Sequence, residues 1–387
     1  MTDNYSYDVI IIGAGSIGVP AALAMAKEGL KVLVLDKMPS PGQGCNKTAI
    51  GGVRATHTDP AKIRLGLRSI EIFSTWEETY GQDIEWVTGG YTFVAYSEKE
   101  EQTLKNLLEI QKSHHLNIDW VDTSRMKQLV PGINDNGLLG GTFSADDGYC
   151  STLLSSYAFF SEAQKAGTEF HFQEEVKGLI INAGRIQGVK TNKGQYNAPH
   201  VLNAAGAYAN EIGSLAGMKH PVRPDSHEAG ITEPVAHFLD PLVVDIRPGP
   251  GSANCYFYQA KTGQIIFCIT PQPNIWGLDI QETSEFLPMA SRRLISIIPK
   301  LSNIRVRRTW RGLYPMTPDG FPLVGQASEV PGYWMAIGLC GQGFMLGPAI
   351  GELLARSVSG QQLSGEDQMI LDRLSPYRDF ESQEALK

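Results

Sequence analysis

The 387-residue sequence has little cysteine, a modest share of charge and no early hydrophobic run of membrane-spanning length, and each shortage excludes a class of protein. Cys45, Cys150, Cys255, Cys268 and Cys340 are scattered, without a CxxC pair. That pattern argues against a disulfide framework or a metal site and for reduced, mostly buried thiols. The first apolar run, Val9-Ile10-Ile11-Ile12, meets Gly13-Ala14-Gly15 at once, too soon and too rich in glycine for a membrane span. A basic start followed by a small-residue cleavage site is also missing, so no signal peptide is expected and a cytoplasmic location is. Charged residues make up 19% with no block of like sign, and the formal charge is −8. This balance argues against nucleic acid or an anionic membrane surface as partner. Neither an internal repeat nor a low-complexity tract is visible.

What remains is ordinary globular composition, 42% apolar, on a chain long enough for two or three domains. Tyr7–Ile12 reads as a buried strand, residues 16–29 as a helix stopped by Gly29, and Lys31–Asp36 as a second apolar strand. Together they form a βαβ unit. Residues 37–57 read as a loop passing close to a ligand. Helices are expected over 59–80, 98–115 and 151–166. Glu169–Phe172, Val176–Asn182 and Arg185–Thr191 read as an antiparallel meander. Ala198–Asn203 reads as one more buried strand. Residues 222–269 read as strands and proline-rich turns, and 284–298 as a helix with Pro288 in its first turn. Near the other end come a strand, Tyr333–Leu339, a glycine cluster and a helix from about Pro348 to Val358.

Gly13-Ala14-Gly15-Ser16-Ile17-Gly18 fits G-x-G-x-x-G between the strand and the helix. Gly13 permits the tight turn, Gly15 lets backbone approach a pyrophosphate, and Gly18 allows close helix–strand packing. Free N–H groups at the helix start, near Ser16 and Ile17, suit the diphosphate charge. Asp36, with Lys37 beside it, closes the second strand where an acid would meet ribose hydroxyls. The motif alone does not separate FAD from NAD. Asn203-Ala204-Ala205-Gly206 and Gly338-Leu339-Cys340-Gly341-Gln342-Gly343-Phe344 favour FAD, because an extended dinucleotide needs backbone contacts from distant parts of the chain.

On these residues the chain resembles the D-amino-acid oxidase-like flavoenzymes, in the glycine oxidase and sarcosine oxidase branch. It is most similar there to the sarcosine oxidase β-subunit and dye-linked proline dehydrogenase β-subunit group. The resemblance covers nearly the whole chain and also rests on Gly312-Leu313-Tyr314-Pro315-Met316-Thr317-Pro318-Asp319-Gly320 and on Gly338–Gly351. It implies an α/β (α+β) fold: a Rossmann-type FAD-binding domain (1–85, 150–215, 326–387) interleaved with a mainly antiparallel β substrate domain (86–149, 216–325). It carries flavin contacts to Gly341, Gln342, Gly343 and Phe344 and an adenine contact to Val176. Ala205, Gly206 and Gly338 join the expected cofactor set. Three departures stand out. Gly312 replaces the cysteine that tethers flavin in monomeric sarcosine oxidases, so the FAD is expected to be non-covalent. Met345 replaces a carboxylate-binding lysine, and Tyr314 stands near an arginine of glycine oxidases.

The reaction that this implies is oxidation of the C–N bond of a small amine or amino acid such as sarcosine, proline or glycine, by hydride transfer to flavin N5, giving an imine. It needs orientation and charge stabilisation rather than a catalytic triad. A carboxylate substrate calls for an arginine fork, and Arg54 in Gly51-Gly52-Val53-Arg54 is the candidate. Tyr256 and Tyr258, two apart on an expected strand, face one side and are candidates for substrate contact. His227 reads as a satisfied core or surface histidine. Arg307, Arg308 and Arg311 around Trp310 read as a subunit contact or a second anion site. The resemblance also raises partner subunits in a hetero-oligomer. Two rivals stay open: a flavin-bearing electron-transfer or scaffold subunit, and an NAD-dependent dehydrogenase.

Overall fold

The computed structural model describes residues 6–381, 383, 384 and 386. Two sheets organise the chain. The first has six strands in the order Leu323–Gln326, Tyr333–Ile337, His200–Asn203, Val9–Ile12, Val32–Asp36 and Glu169–Phe172. Every neighbouring pair is parallel except Leu323–Gln326 against Tyr333–Ile337. Val9–Ile12 and Val32–Val34 lie at or near zero exposure, as a parallel sheet covered on both faces requires. The β-branched run near the start therefore takes a central place, paired on one side through Val9 with Val32 and on the other with His200.

The second sheet has eight strands and draws on two stretches of sequence, Tyr91–Ser144 and Arg223–Met316. It is antiparallel except where Leu242–Asp245 runs parallel to Tyr91–Ala95. Helix Phe286–Ile297 packs Phe286, Ala290 and Leu294 onto one face, in a cluster with Phe257 and Phe267. The other face carries Phe93, Val244, Tyr256 and Cys268, which the register places in a row.

Helix Gly18–Lys27 lies against helix Gly343–Val358, and glycines set the distance. A Cβ on Gly347 would meet the Ser16 carbonyl oxygen at 2.0 Å, and one on Gly351 the Ala21 nitrogen at 2.8 Å. Asp59 caps helix Pro60–Ser74 by accepting from the Ala61 N–H, with Pro60 at the first turn where its missing donor costs nothing.

Several expectations need correction. Glu169–Phe172 does not join the meander; it extends the first sheet in parallel beside Val32–Asp36. The meander consists of Val176–Asn182, Arg185–Thr191 and Gln195–Asn197. The helix expected over 59–80 divides into Pro60–Ser74 and Trp76–Tyr80, with Thr75 between them. The last long helix begins at Gly343 rather than Pro348, so Gly343 of the glycine cluster opens its first turn, Gly338 and Gly341 precede it with positive φ, and Pro348 sits inside it.

Candidate functional site

Between the two sheets runs a cavity of about 500 Å³. One end is built from the first βαβ unit: Gly13, Gly15, Ser16 and Ile17 at the turn, Asp36 at the end of the second strand and Lys37 after it, with Val176 and Gly206 nearby. The other end has Gly341–Met345 facing Tyr91, Phe93, Leu242, Val244 and Tyr256 of the large sheet. Cofactor-type and substrate-type residues of distant sequence are thus brought to one space.

Its geometry fits an extended dinucleotide. Helices Gly18–Lys27 and Gly343–Val358 both start at this cavity, both lack a side-chain cap, and neither has an acid in its first turn. Their starting N–H groups and dipoles favour negative charge, such as that of a diphosphate. Gly13 has φ +110 and a Cβ there would meet the Ala204 carbonyl oxygen at 2.5 Å, whereas a Cβ on Gly15 meets nothing within 4 Å. The turn is closed against protein at Gly13 and open to the cavity at Gly15. Three buried polar atoms of lining residues, Asn46 Oδ1, Gln342 Oε1 and Arg311 Nε, have no hydrogen-bond partner among the described residues. Buried polar atoms left this way signal a missing ligand or solvent.

The Asp36 carboxylate accepts from the Ala14 N–H at 2.6 Å and the Met38 N–H at 2.8 Å. Burial pushes its pKa up, against those two bonds. Each oxygen still has lone pairs for ribose hydroxyls. Lys37 turns aside, its Nζ 3.4 Å from the centre of the Tyr208 ring.

Gly18 does not line the cavity: a Cβ would meet the Gly13 carbonyl oxygen at 1.8 Å, which makes it a packing residue. Gly338 is likewise outside the lining and packs against Thr317. Ala205, Gly206, Gly341, Gln342, Gly343 and Phe344 all line it.

At the substrate end Tyr256 and Tyr258 part company. The Tyr256 hydroxyl lies 2.7 Å from that of Tyr314, and both side chains line the cavity. Burial pushes both phenols above their ordinary pKa, so the pair stays neutral. The Tyr258 hydroxyl instead donates to the Ile50 carbonyl at 2.6 Å, and its ring packs 4.3 Å from that of Tyr149. It supports the loop that carries Ile50 and stays out of the lining. His227 is buried behind Tyr314, ring centres 3.8 Å apart, and its Nε2 lies 3.1 Å from Asp225 Oδ2. Burial lowers the His227 pKa. Arg311 lines the cavity and donates to Asp279 and the Gln281 carbonyl, whereas Arg307 and Arg308 are exposed.

Arg54 is buried and lines the substrate end. Its guanidinium lies 5.4 Å from the centre of the Phe93 ring and donates to the carbonyls of Thr56 and Leu386. Around it lies a buried charge cluster that sequence reasoning missed. Asp147 accepts from the Ala55 N–H at 3.0 Å and the Thr56 hydroxyl at 2.8 Å, and burial pushes its pKa up to about 6 against those bonds. Lys62, fully buried, pairs with Glu384. His57, 3.3 Å from Arg54, is held well below its usual pKa by burial and by the Arg54 and Lys62 charges. A lysine on the apolar face of the 59–80 helix was the one signal available in the sequence.

No disulfide joins the cysteines, and no cluster of potential metal ligands occurs among the described residues. None of the described helices is long and apolar enough to cross a membrane.

Comparison with known proteins adds an independent line. The sequence model of the FAD dependent oxidoreductase family, abbreviated DAO, matches residues 8–357. The hydrogen cyanide synthase subunit HcnC of Pseudomonas aeruginosa is 26% identical, over 93% of this chain and 94% of its own. Glycine oxidase of the same organism is 26% identical, over 92% and 95%. Among solved structures, L-proline dehydrogenase from P. horikoshii superposes with a TM-score of 0.90 at 32% identity, covering 97% of this chain and 98% of that one.

Proposed function

Because the chain belongs to the DAO family of FAD-dependent oxidoreductases acting on amino acids and amines, we propose that it oxidises the C–N bond of a small amino acid, secondary or primary, of the sarcosine, proline or glycine kind. The observation that carries this reading is Arg54. It is a buried cation lining the substrate end of the cavity, beside Tyr91, Phe93, Leu242, Val244 and Tyr256. A guanidinium in that setting binds a carboxylate through two parallel hydrogen bonds, strengthened by the low local dielectric.

FAD, when bound, supplies the two-electron acceptor, and the resulting imine is open to hydrolysis by water. The chain supplies the rest. Gly13–Ile17 and Asp36 would hold the diphosphate and ribose, and the start of helix Gly343–Val358 would supply N–H groups to the reactive ring. Arg54 fixes the substrate carboxylate, while the aromatic wall excludes water and turns the Cα–H toward that ring. Tyr256 and Tyr314, neutral and bonded to one another, offer a hydroxyl to the substrate amine. With Gly312 at the position where related oxidases carry a cysteine, and its Cβ direction blocked by Thr48 Oγ1 at 2.3 Å, the FAD is held without a covalent bond there.

The test is anaerobic mixing of the flavin-loaded protein with a panel of amino acids and the corresponding simple amines. Bleaching of the flavin bands by sarcosine, proline or glycine, and weaker bleaching by amines without a carboxylate, is the expected result. A flavin that no member of the panel reduces overturns the reading. A second reading, a flavin-bearing subunit within a larger amine dehydrogenase, draws on the similarity to HcnC, a subunit of hydrogen cyanide synthase. It also draws on the exposed Ile275, Trp276, Leu278 and Ile280, the last of which lines the cavity. Co-purification with partner chains together with an unreduced flavin in the isolated protein favours that alternative.

A further inference from the structure

The segment that contains Glu384 and Leu386 reaches the substrate end although it lies more than 300 residues from Arg54 in sequence. Its route is fixed by hydrogen bonds. Arg378 grips both oxygens of Asp319, Nε to Oδ2 at 2.8 Å and Nη2 to Oδ1 at 3.0 Å. The Asp319 carbonyl then accepts from the Glu384 N–H at 3.1 Å. Asp319, in the Thr317-Pro318-Asp319-Gly320 stretch, thus docks this segment rather than a ligand.

Glu384 is fully buried. Its carboxylate takes the Lys62 ammonium, the Thr58 hydroxyl at 2.9 Å and the Leu386 N–H at 3.1 Å. Burial raises its pKa, but the charges of Lys62 and Arg54 outweigh that and hold it below the ordinary value. The Leu386 side chain is buried in a cluster with Tyr91 and Phe93, and its carbonyl receives the Arg54 guanidinium. The two carbonyls that hold Arg54 share one design. That of Thr56 belongs to a residue bonded by the Asp147 carboxylate, and that of Leu386 to a residue bonded by Glu384.

We propose that Glu384 is a positioning residue of the substrate site: it sets the Leu386 carbonyl, which fixes the direction of the Arg54 fork. The proposal rests on Arg54 as the carboxylate anchor. A fork aimed by two rigid acceptors keeps its remaining N–H groups directed at the substrate, and a misplacement of about 1 Å at such a group costs up to a hundredfold. Lys62 reinforces the docking, because without Glu384 it is a buried cation left facing the Gly320 carbonyl, 3.4 Å away, and the Phe321 ring, 4.8 Å from its centre.

The experiment compares wild type with Glu384→Ala, Glu384→Gln and the charge-free pair Lys62→Met/Glu384→Met, which keeps the fold if the unpaired lysine of the single variant does not. Titration calorimetry with benzoate, a carboxylate that cannot be oxidised, gives a readout independent of turnover. We expect about tenfold weaker benzoate binding in Glu384→Ala and in the paired variant. The KM for a carboxylate substrate should rise in parallel, that for a simple amine should not, and flavin content should be unchanged. Glu384→Gln keeps the oxygen that accepts from Leu386 and Thr58 but turns an amide N–H2 toward the Lys62 ammonium, so its affinity should recover toward wild type once Lys62→Met is added. Equal benzoate affinity in wild type and the paired variant, whether tight or negligible, overturns the proposal. If no amine is oxidised by any of these proteins, the proposed reaction fails, while the benzoate comparison still decides the role of Glu384.

Discussion

Gly341 lies against the ring of Tyr314 so closely that a methyl group built on it would come within 2.3 Å of the ring carbon Cε2. Its φ is +80, a conformation that an L side chain adopts at a cost of about 1–2 kcal/mol. The position also lies in the turn that leads into helix Gly343–Val358, so this cavity-lining backbone and the tyrosine pair pack as one unit. Gly341→Ala should therefore lose stability through the backbone term and through overpacking of about 1–3 kcal/mol. Tyr314 is backed by the His227 ring, centres 3.8 Å apart, so it cannot retreat on that side. The expected outcome is a lower melting temperature with reduced flavin content at purification; an unchanged melting curve rejects it.

Gly15 makes the opposite case. A Cβ there touches no protein atom within 4 Å, so a side chain is compatible with the fold and obstructs only what fills the cavity. Gly15→Val should leave the circular dichroism spectrum and soluble yield close to wild type but abolish the yellow colour. A variant that keeps its flavin shows that the pyrophosphate does not pass this backbone.

How much of this could be seen in the sequence depends on the range of each interaction. The first strand, the glycine turn, the helix and Asp36 are legible because their spacing is local and each residue type answers to one backbone need. Glu169–Phe172 was misplaced because an edge strand in parallel pairing carries no local sign of its neighbour. Period-two alternation correctly put Tyr256 and Tyr258 on one face, yet it says nothing of what stands opposite, here Tyr314 for one and the Ile50 carbonyl for the other. Pro348 misled for a related reason: proline usually marks a first turn, but here the packing of Gly347 and Gly351 on the first helix extends this helix back to Gly343. The Lys62–Glu384 pair spans 322 positions, and no periodicity reveals such a contact.

The arginine at the substrate end yields a graded test. Arg54→Lys keeps the charge but loses the planar fork, and a lysine ammonium cannot reach both the Thr56 and Leu386 carbonyls while binding a carboxylate bidentately. Hydrogen bonds to a charged group contribute about 1.5–3 kcal/mol, so Arg54→Ala should raise KM for a carboxylate substrate about ten- to a hundredfold. The lysine variant should fall between. Steady-state kinetics on an amino acid and on the matching amine without a carboxylate checks this. An equal rise for both substrates removes Arg54 from carboxylate binding.

Asp147 gives the pH test. It is fully buried, and its folded pKa of about 6 lies above the ordinary carboxylate value of 3.8. Between about pH 4 and pH 6 the folded protein therefore holds a proton that the unfolded chain has released. Stability linked to this group is greatest at the acid end and declines as pH rises through the window, by about 3 kcal/mol in all. Asp147→Asn cannot titrate, and its amide can still accept from the Ala55 N–H while the Thr56 hydroxyl turns to receive its N–H. Urea unfolding of both proteins at several pH values isolates the effect. The stability of wild type relative to Asp147→Asn should fall steadily from pH 4 to pH 6 and then level off. A constant difference across that range means that the carboxylate is ionised throughout, and that the Arg54 guanidinium, rather than burial, controls its charge.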